Sequence, residues 1–164
     1  MKGKTKVYVG IATILGLAFV YYIFSLAISN TQNCATMPAT DMDIGGHESL
    51  TMHIHQDLSI RINGDTMIIP ANIGLENSIM RPIHTHDGSG RIHVEGTCPR
   101  DFTLGEFFDV WGETFTSSCI FENCVDENHR LTMYVNGVET LQWRDLVLKD
   151  GDAIEIVYEE TGNE

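Results

Sequence analysis

The sequence predicts an α+β chain, with an N-terminal transmembrane helix followed by a small β-rich domain that has one main helix. Three observations predict it. Val7 to Ile28 runs 22 residues without a charge. Several later stretches alternate apolar and polar residues and break at Asn-Gly or Gly-Asp, the pattern of half-buried strands joined by tight turns. Only Phe102 to Trp111 carries its apolar side chains at helical spacing. One short helix among hairpins is an α+β arrangement.

A helix of 22 residues is about 33 Å long, enough to cross the hydrocarbon core of a bilayer. Ala27 and Ser29 resemble a signal-peptide cleavage site, but the apolar run is long for a signal peptide and holds Phe19, Tyr21, Tyr22 and Phe24. An uncleaved anchor is therefore expected. Lys2, Lys4 and Lys6 precede it, so residues 1–6 form a cytoplasmic tail and the rest of the chain faces out. The expected organisation is a span over 7–28, a stalk over 29–50 with Pro38 and Gly45-Gly46, and an extracytoplasmic domain over 51–160 at the cell membrane.

All 23 acidic residues follow position 40, against only seven basic ones. So negative a domain excludes nucleic acid as a partner and draws cations instead. The four cysteines, Cys34, Cys98, Cys119 and Cys124, all lie in the outward part. An even number in an oxidising compartment favours two disulfides, with three pairings open. A thiolate metal site on Cys119 and Cys124 is the alternative, at a spacing looser than the usual zinc pair.

Within the domain, Ile54, Leu58, Ile60 and Ile62 alternate with His53, His55, Asp57, Ser59 and Arg61, which makes a strand with one polar face. Asn63-Gly64 turns it, and Met67 to Ile69 is the expected return strand. Ile83 to Glu95 forms a second hairpin around Asp87-Gly88-Ser89-Gly90. Thr103 and Glu106 make a capping box for the helix, Gly112 stops it, and its aromatic stripe is core. Leu131 to Val135 is a strand turned by Asn136-Gly137, and Ala153 to Tyr158 is the last strand. Trp143 is expected to be buried against the sheet.

Six of the seven histidines lie between positions 47 and 93. His53 and His55 share a strand face, as do His84 and His86. If His86 pairs with Arg91 across the second hairpin, His84 stands opposite His93. Directly opposed residues have Cβ atoms about 4.5–5.5 Å apart, and two imidazoles at that spacing can converge on one ion. His84, His86 and His93 are therefore candidate metal ligands, with His53 or His55 added from a neighbouring strand. Asp57, Asp87 and Glu95 are candidates to orient the ligating imidazoles. Nitrogen ligands suit Cu2+ or Zn2+ and not Ca2+ or Mg2+. His47 and His129 lie outside the pattern.

HTHDGSGRIHVEG has a superficial likeness to a cupin motif, but Gly88 to Arg91 fill the region of the cupin glutamate. Over about 110 residues the chain resembles an uncharacterised family of secreted or membrane-anchored archaeal and bacterial domains. The resemblance rests on His53 to Ile60, Ile69 to Gly74, His84 to Glu95 and Phe102 to Gly112. It implies an exported setting and supplies no chemistry. The segment LTMYVNGVETLQWRDLVLKDGDAIEIVY resembles the end of β-grasp modules, which implies a β-grasp-like domain.

Three functions compete on this reading. The first is membrane-anchored capture or delivery of copper or zinc. The second is a non-catalytic accessory subunit docked on a membrane-protein partner. The third is a metal-dependent enzyme. No G-x-S-x-G, H-E-x-x-H, P-loop or dinucleotide motif is present to support the third.

Overall fold

The computed structural model describes residues 14–26, 35–46, 50–97 and 100–162. Two compact units result, Met1–Thr36 and Met37–Glu164. In the first, residues 14–26 are helical and their apolar side chains, among them Ile14, Leu17, Phe19 and Tyr21, are exposed. Among the described residues no helix is long and apolar enough to cross a membrane. Residues 7–13 and 27–28 of the expected span lie outside the described residues.

The second unit is mixed helix and sheet, mostly sheet. Its strands are β1 (Met52–Ile62), β2 (Asp65–Thr66), β3 (Leu75–Glu76), β4 (Ile79–Met80), β5 (Ile83–His84), β6 (Arg91–Gly96), β7 (Cys119–Ile120), β8 (Asn123–Cys124), β9 (His129–Val135), β10 (Val138–Glu139) and β11 (Ala153–Glu160). Among its described residues one α-helix, α1, spans Leu104–Trp111. The main sheet runs β10-β9-β11-β1-β6-β5, with β2 hydrogen-bonded to β1. Its centre is the parallel pair β1 and β11, in which Leu58 faces Ile154 and Ile60 faces Ile156. Every other pairing in it is antiparallel.

Side-chain alternation sorts the sheet into two faces. Leu58 and Ile60 of β1, Ile83 of β5, Ile92 and Val94 of β6, Met133 of β9 and Ile154 and Ile156 of β11 are buried. They form the core with Phe102, Leu104, Phe107, Phe108 and Phe115. Burying each large apolar side chain contributes about 1.5–3 kcal/mol. The helix that supplies part of this core starts at Thr103, whose hydroxyl accepts from Glu106 N–H while the Glu106 carboxylate accepts from Thr103 N–H. It stops at Gly112, whose backbone is left-handed (φ 81°). Gly105 lets the helix approach the Arg144 backbone, where a Cβ would lie 2.8 Å from the Arg144 carbonyl oxygen.

The first hairpin, Trp143 and the stalk depart from the sequence expectations. The return strand after Asn63-Gly64 is Asp65–Thr66, not Met67 to Ile69. Met67 N–H still donates to Ile60 O, but the chain then leaves the sheet toward Pro70. Trp143 is half-buried, beginning a 3-10 turn with positive φ and its ring 6.3 Å from Phe115. Part of the expected stalk is packed: Ala39, Met42 and Ile44 are buried, and Ile44 N–H donates to Met80 O. Cys119 and Cys124 form a disulfide across the β7–β8 hairpin, so they do not make a thiolate metal site. Cys34 and Cys98 lie outside the described residues.

Candidate metal centre

The face of the sheet opposite the core gathers the histidines. Register sets their positions: His55 of β1 stands opposite His93 of β6, and His93 stands opposite His84 of β5. Three imidazoles from three adjacent strands thus form one row across the sheet. His53 is opposite Glu95 in the next row on the same face. His86 joins from the loop beyond β5, with its ring centroid 4.5 Å from that of His93. His55 lies equally close to His93, at 4.5 Å.

The expected pairing of His84 with His93 is present, but His86 is not in a strand. The reason is Thr85. Its N–H donates to Ile73 O, its carbonyl accepts from Asn72 N–H, its hydroxyl donates to Pro70 O, and that hydroxyl accepts from Ile73 N–H. The 70–73 segment therefore takes the place of a continued ladder and clamps the residue between the two histidines. Nearby, Gly74 passes so close to β5 that a Cβ would stand 2.6 Å from Ile83 O. Thr85→Val should leave Ile73 N–H without its hydroxyl partner in the interior and cost about 1–3 kcal/mol. Urea unfolding measures this, and a variant as stable as the parent would show that the clamp is dispensable.

Glu95 lies at the centre of the constellation. Its side chain is fully buried, and its Oε1 is 3.1 Å from His53 Nε2, 3.8 Å from His84 Nε2 and 3.9 Å from His93 Nδ1. Exposure grades across the group: the His53 side chain is 47% exposed, His93 18%, and His84 and Glu95 0%. His84 is oriented from behind. Its Nδ1 lies 2.9 Å from Arg81 O, and a carbonyl can only accept, so Nδ1 carries a proton and Nε2 is the nitrogen turned toward Glu95. Arg81 is itself held by a bond from its guanidinium to Met42 O.

Two sets of side chains can each surround one ion, with their ligand atoms all within 4.8 Å of one another. One is His84, His86, His93 and Glu95, and the other is His53, His55 and His93. Glu95, expected to orient the ligands, is thus placed among the ligands themselves. It sits two residues after His93 on the same strand face, a signal present in the alternation. Asp57 and Asp87 are engaged elsewhere. Asp57 makes a two-point ion pair with Arg91, whose hydrogen bond holds its carboxyl below the usual range. Asp87 accepts from Ser89 N–H and closes its own turn. His129 pairs with Asp126, and His47 lies outside the described residues.

Burial, with the neighbouring His55, His86 and His84, pushes the His93 pKa down from 6.5 to about 4. His93 is accordingly neutral at physiological pH and keeps the lone pair a metal needs. The sign for stability follows. Between pH 6.5 and about 4 the unfolded chain binds a proton at this residue and the native chain does not. Metal-free protein should therefore lose stability as pH falls through that window and then level off. Urea unfolding at pH 7 and pH 5 tests it: the drop should shrink in His93→Ala, and an equal drop in both proteins would refute it.

Comparison with protein-family models, curated proteins and solved structures finds no match to this chain. The chemistry of the site follows from its own geometry. Five imidazoles and one buried carboxylate converge on the polar face of a rigid sheet, a donor set suited to a divalent transition metal.

Proposed function

We propose that this chain is a membrane-anchored, extracytoplasmic metal-binding protein for copper or zinc, serving capture or delivery of the ion. The observation that carries the metal reading is the convergence of His84, His93 and Glu95 from adjacent strands, with His53, His55 and His86 around them. A lone histidine on a strand needs no ligand to explain it. Five in one cluster that includes a fully buried carboxylate is an arrangement that a divalent cation neutralises well. The membrane setting is supported by the uncharged run from Val7 to Ile28 behind three lysines.

The β-grasp-like reading of the domain is supported by the sheet order. First and last strands run parallel at its centre, β6 and β5 flank one side, and β9 and β10 flank the other. Such a sheet is a rigid frame, which suits a site whose ligands must hold their spacing.

The test is titration of the full chain, purified in detergent without a His-tag and stripped by chelator, with Cu2+ and with Zn2+. Binding of one of them at micromolar or lower concentration is expected. Binding of neither would leave the accessory-subunit reading in its place.

A further inference from the structure

We propose that the centre is a two-station path for a single ion. His53, His55 and His93 receive the ion at the surface, and His84, His86, His93 and Glu95 seat it inside. This rests on the metal-binding reading above and adds an order of events to it.

Three observations carry the inference. The first is that the two sets share His93. A neutral imidazole has one protonated nitrogen and one lone pair, so it binds one ion at a time. Filling both stations together would require His93 to lose its second proton. The second is the gradient in exposure and charge. The outer set is made of imidazoles alone, with the His53 side chain 47% exposed. The inner set adds the exposed His86 at its rim, with His84 and the carboxylate of Glu95 behind it, both fully buried. A buried carboxylate attracts a divalent cation through a medium that screens poorly, so the inner station holds the ion more tightly.

The third is where Glu95 sits. Its Oε1 is nearer to the outer ligand His53, at 3.1 Å, than to the inner ligand His84, at 3.8 Å. His93 Nδ1 lies 3.9 Å from the same oxygen. An ion held by His53, His55 and His93 is therefore beside the carboxylate that replaces His53 as a ligand, while His93 stays bound throughout. The path exchanges ligands one at a time and never returns the ion to bulk water.

The experiment mixes the stripped full chain with Cu2+ alone in a stopped-flow instrument and follows the copper absorption. Electron paramagnetic resonance then reports the ligands of the seated ion. Cu2+ is the probe whatever ion the protein carries in the cell, because nitrogen sites bind it most strongly of the divalent series. We expect one Cu2+ per chain. His53→Ala/His55→Ala should slow association by about tenfold or more, with the resonance spectrum of the seated ion as in the parent. Glu95→Gln should instead hasten release and alter that spectrum. Circular dichroism establishes that each variant is folded.

Two Cu2+ per chain would overturn the path, since both stations would then fill together. So would association of the double variant at the parental rate, which would mean direct entry past His86. A changed spectrum in the double variant would also overturn it, because all the histidines would then belong to one site. Failure of the parent to take up Cu2+ would overturn the path by itself. The broader metal reading falls only if Zn2+ also fails to bind.

Discussion

Glu95→Gln should weaken the bound metal by at least about 10–100-fold, the range seen when a group that supports or completes a metal site is lost. The substitution keeps the size of the side chain and removes its charge. In the parent the carboxylate is fully buried, and its near neighbours on this face are the nitrogens of His53, His84 and His93. Desolvating a carboxylate is costly, and in the metal-free protein nearby imidazoles offset part of that cost. The glutamine variant should therefore be at least as stable as the parent without metal and less stabilised by added metal. The opposed signs are the useful part. Urea unfolding with and without Zn2+ or Cu2+ reads both. A variant that is destabilised without metal, and equally stabilised by it, would make Glu95 a structural hydrogen-bond acceptor only.

Gly90→Ala should destabilise the fold by about 3 kcal/mol, the sum of a strained backbone and a collision with another strand. Gly90 has φ 86°, where a Cβ is disfavoured, and a Cβ there would lie 2.3 Å from Leu58 O. Leu58 N–H donates to Gly90 O at 2.9 Å. The two backbones thus touch where β6 begins, one step beyond the pair Asp57 and Arg91. That contact fixes the register that sets His55 opposite His93. A shift of one residue would turn His93 to the core face and Ile92 to the polar one. Gly137→Ala is the comparison: its φ is 79°, but nothing lies within 4 Å of its Cβ position. It should cost only about 1–2 kcal/mol for the left-handed backbone. Chemical denaturation distinguishes the two. Equal losses would mean that the approach to Leu58 relaxes freely.

Much of this arrangement is legible in the sequence, and what is not has physical reasons. The alternation in β1, the Asn-Gly turns and the capping box are local signals, and each marks the element found. The pairing of His84 with His93 is also local, since a short turn joins their strands. The neighbouring row is not. That β1 lies beside β6, with His55 opposite His93 and His53 opposite Glu95, is a pairing between segments about 40 residues apart, and alternation alone does not choose a strand's neighbour.

His86 leaves the sheet because Thr85 bonds to the 70–73 segment, a contact no periodicity announces. The same segment explains why Pro70 to Gly74 carries no strand of its own. Its task is to grip Thr85, between His84 at the end of β5 and His86 in the loop. Ala39, Met42 and Ile44 join the core from a stretch too short and irregular to show a pattern, so the folded unit begins at Met37. The hairpin Leu75–Met80 escapes detection because its turn uses Asn77 and Ser78 with positive φ, without a glycine.

The central claim is that the histidine face holds a metal, and the most direct measurement is the metal content of the full chain as purified. The protein should be produced with export intact, extracted in detergent without a His-tag, and analysed by inductively coupled plasma mass spectrometry. A His84→Ala/His93→Ala variant, verified as folded by circular dichroism, should be analysed beside it. The account predicts copper or zinc near one per chain in the parent and loss of most of it in the variant. Parent and folded variant carrying the same metal content, or a parent that stays metal-free even after reconstitution, would contradict it.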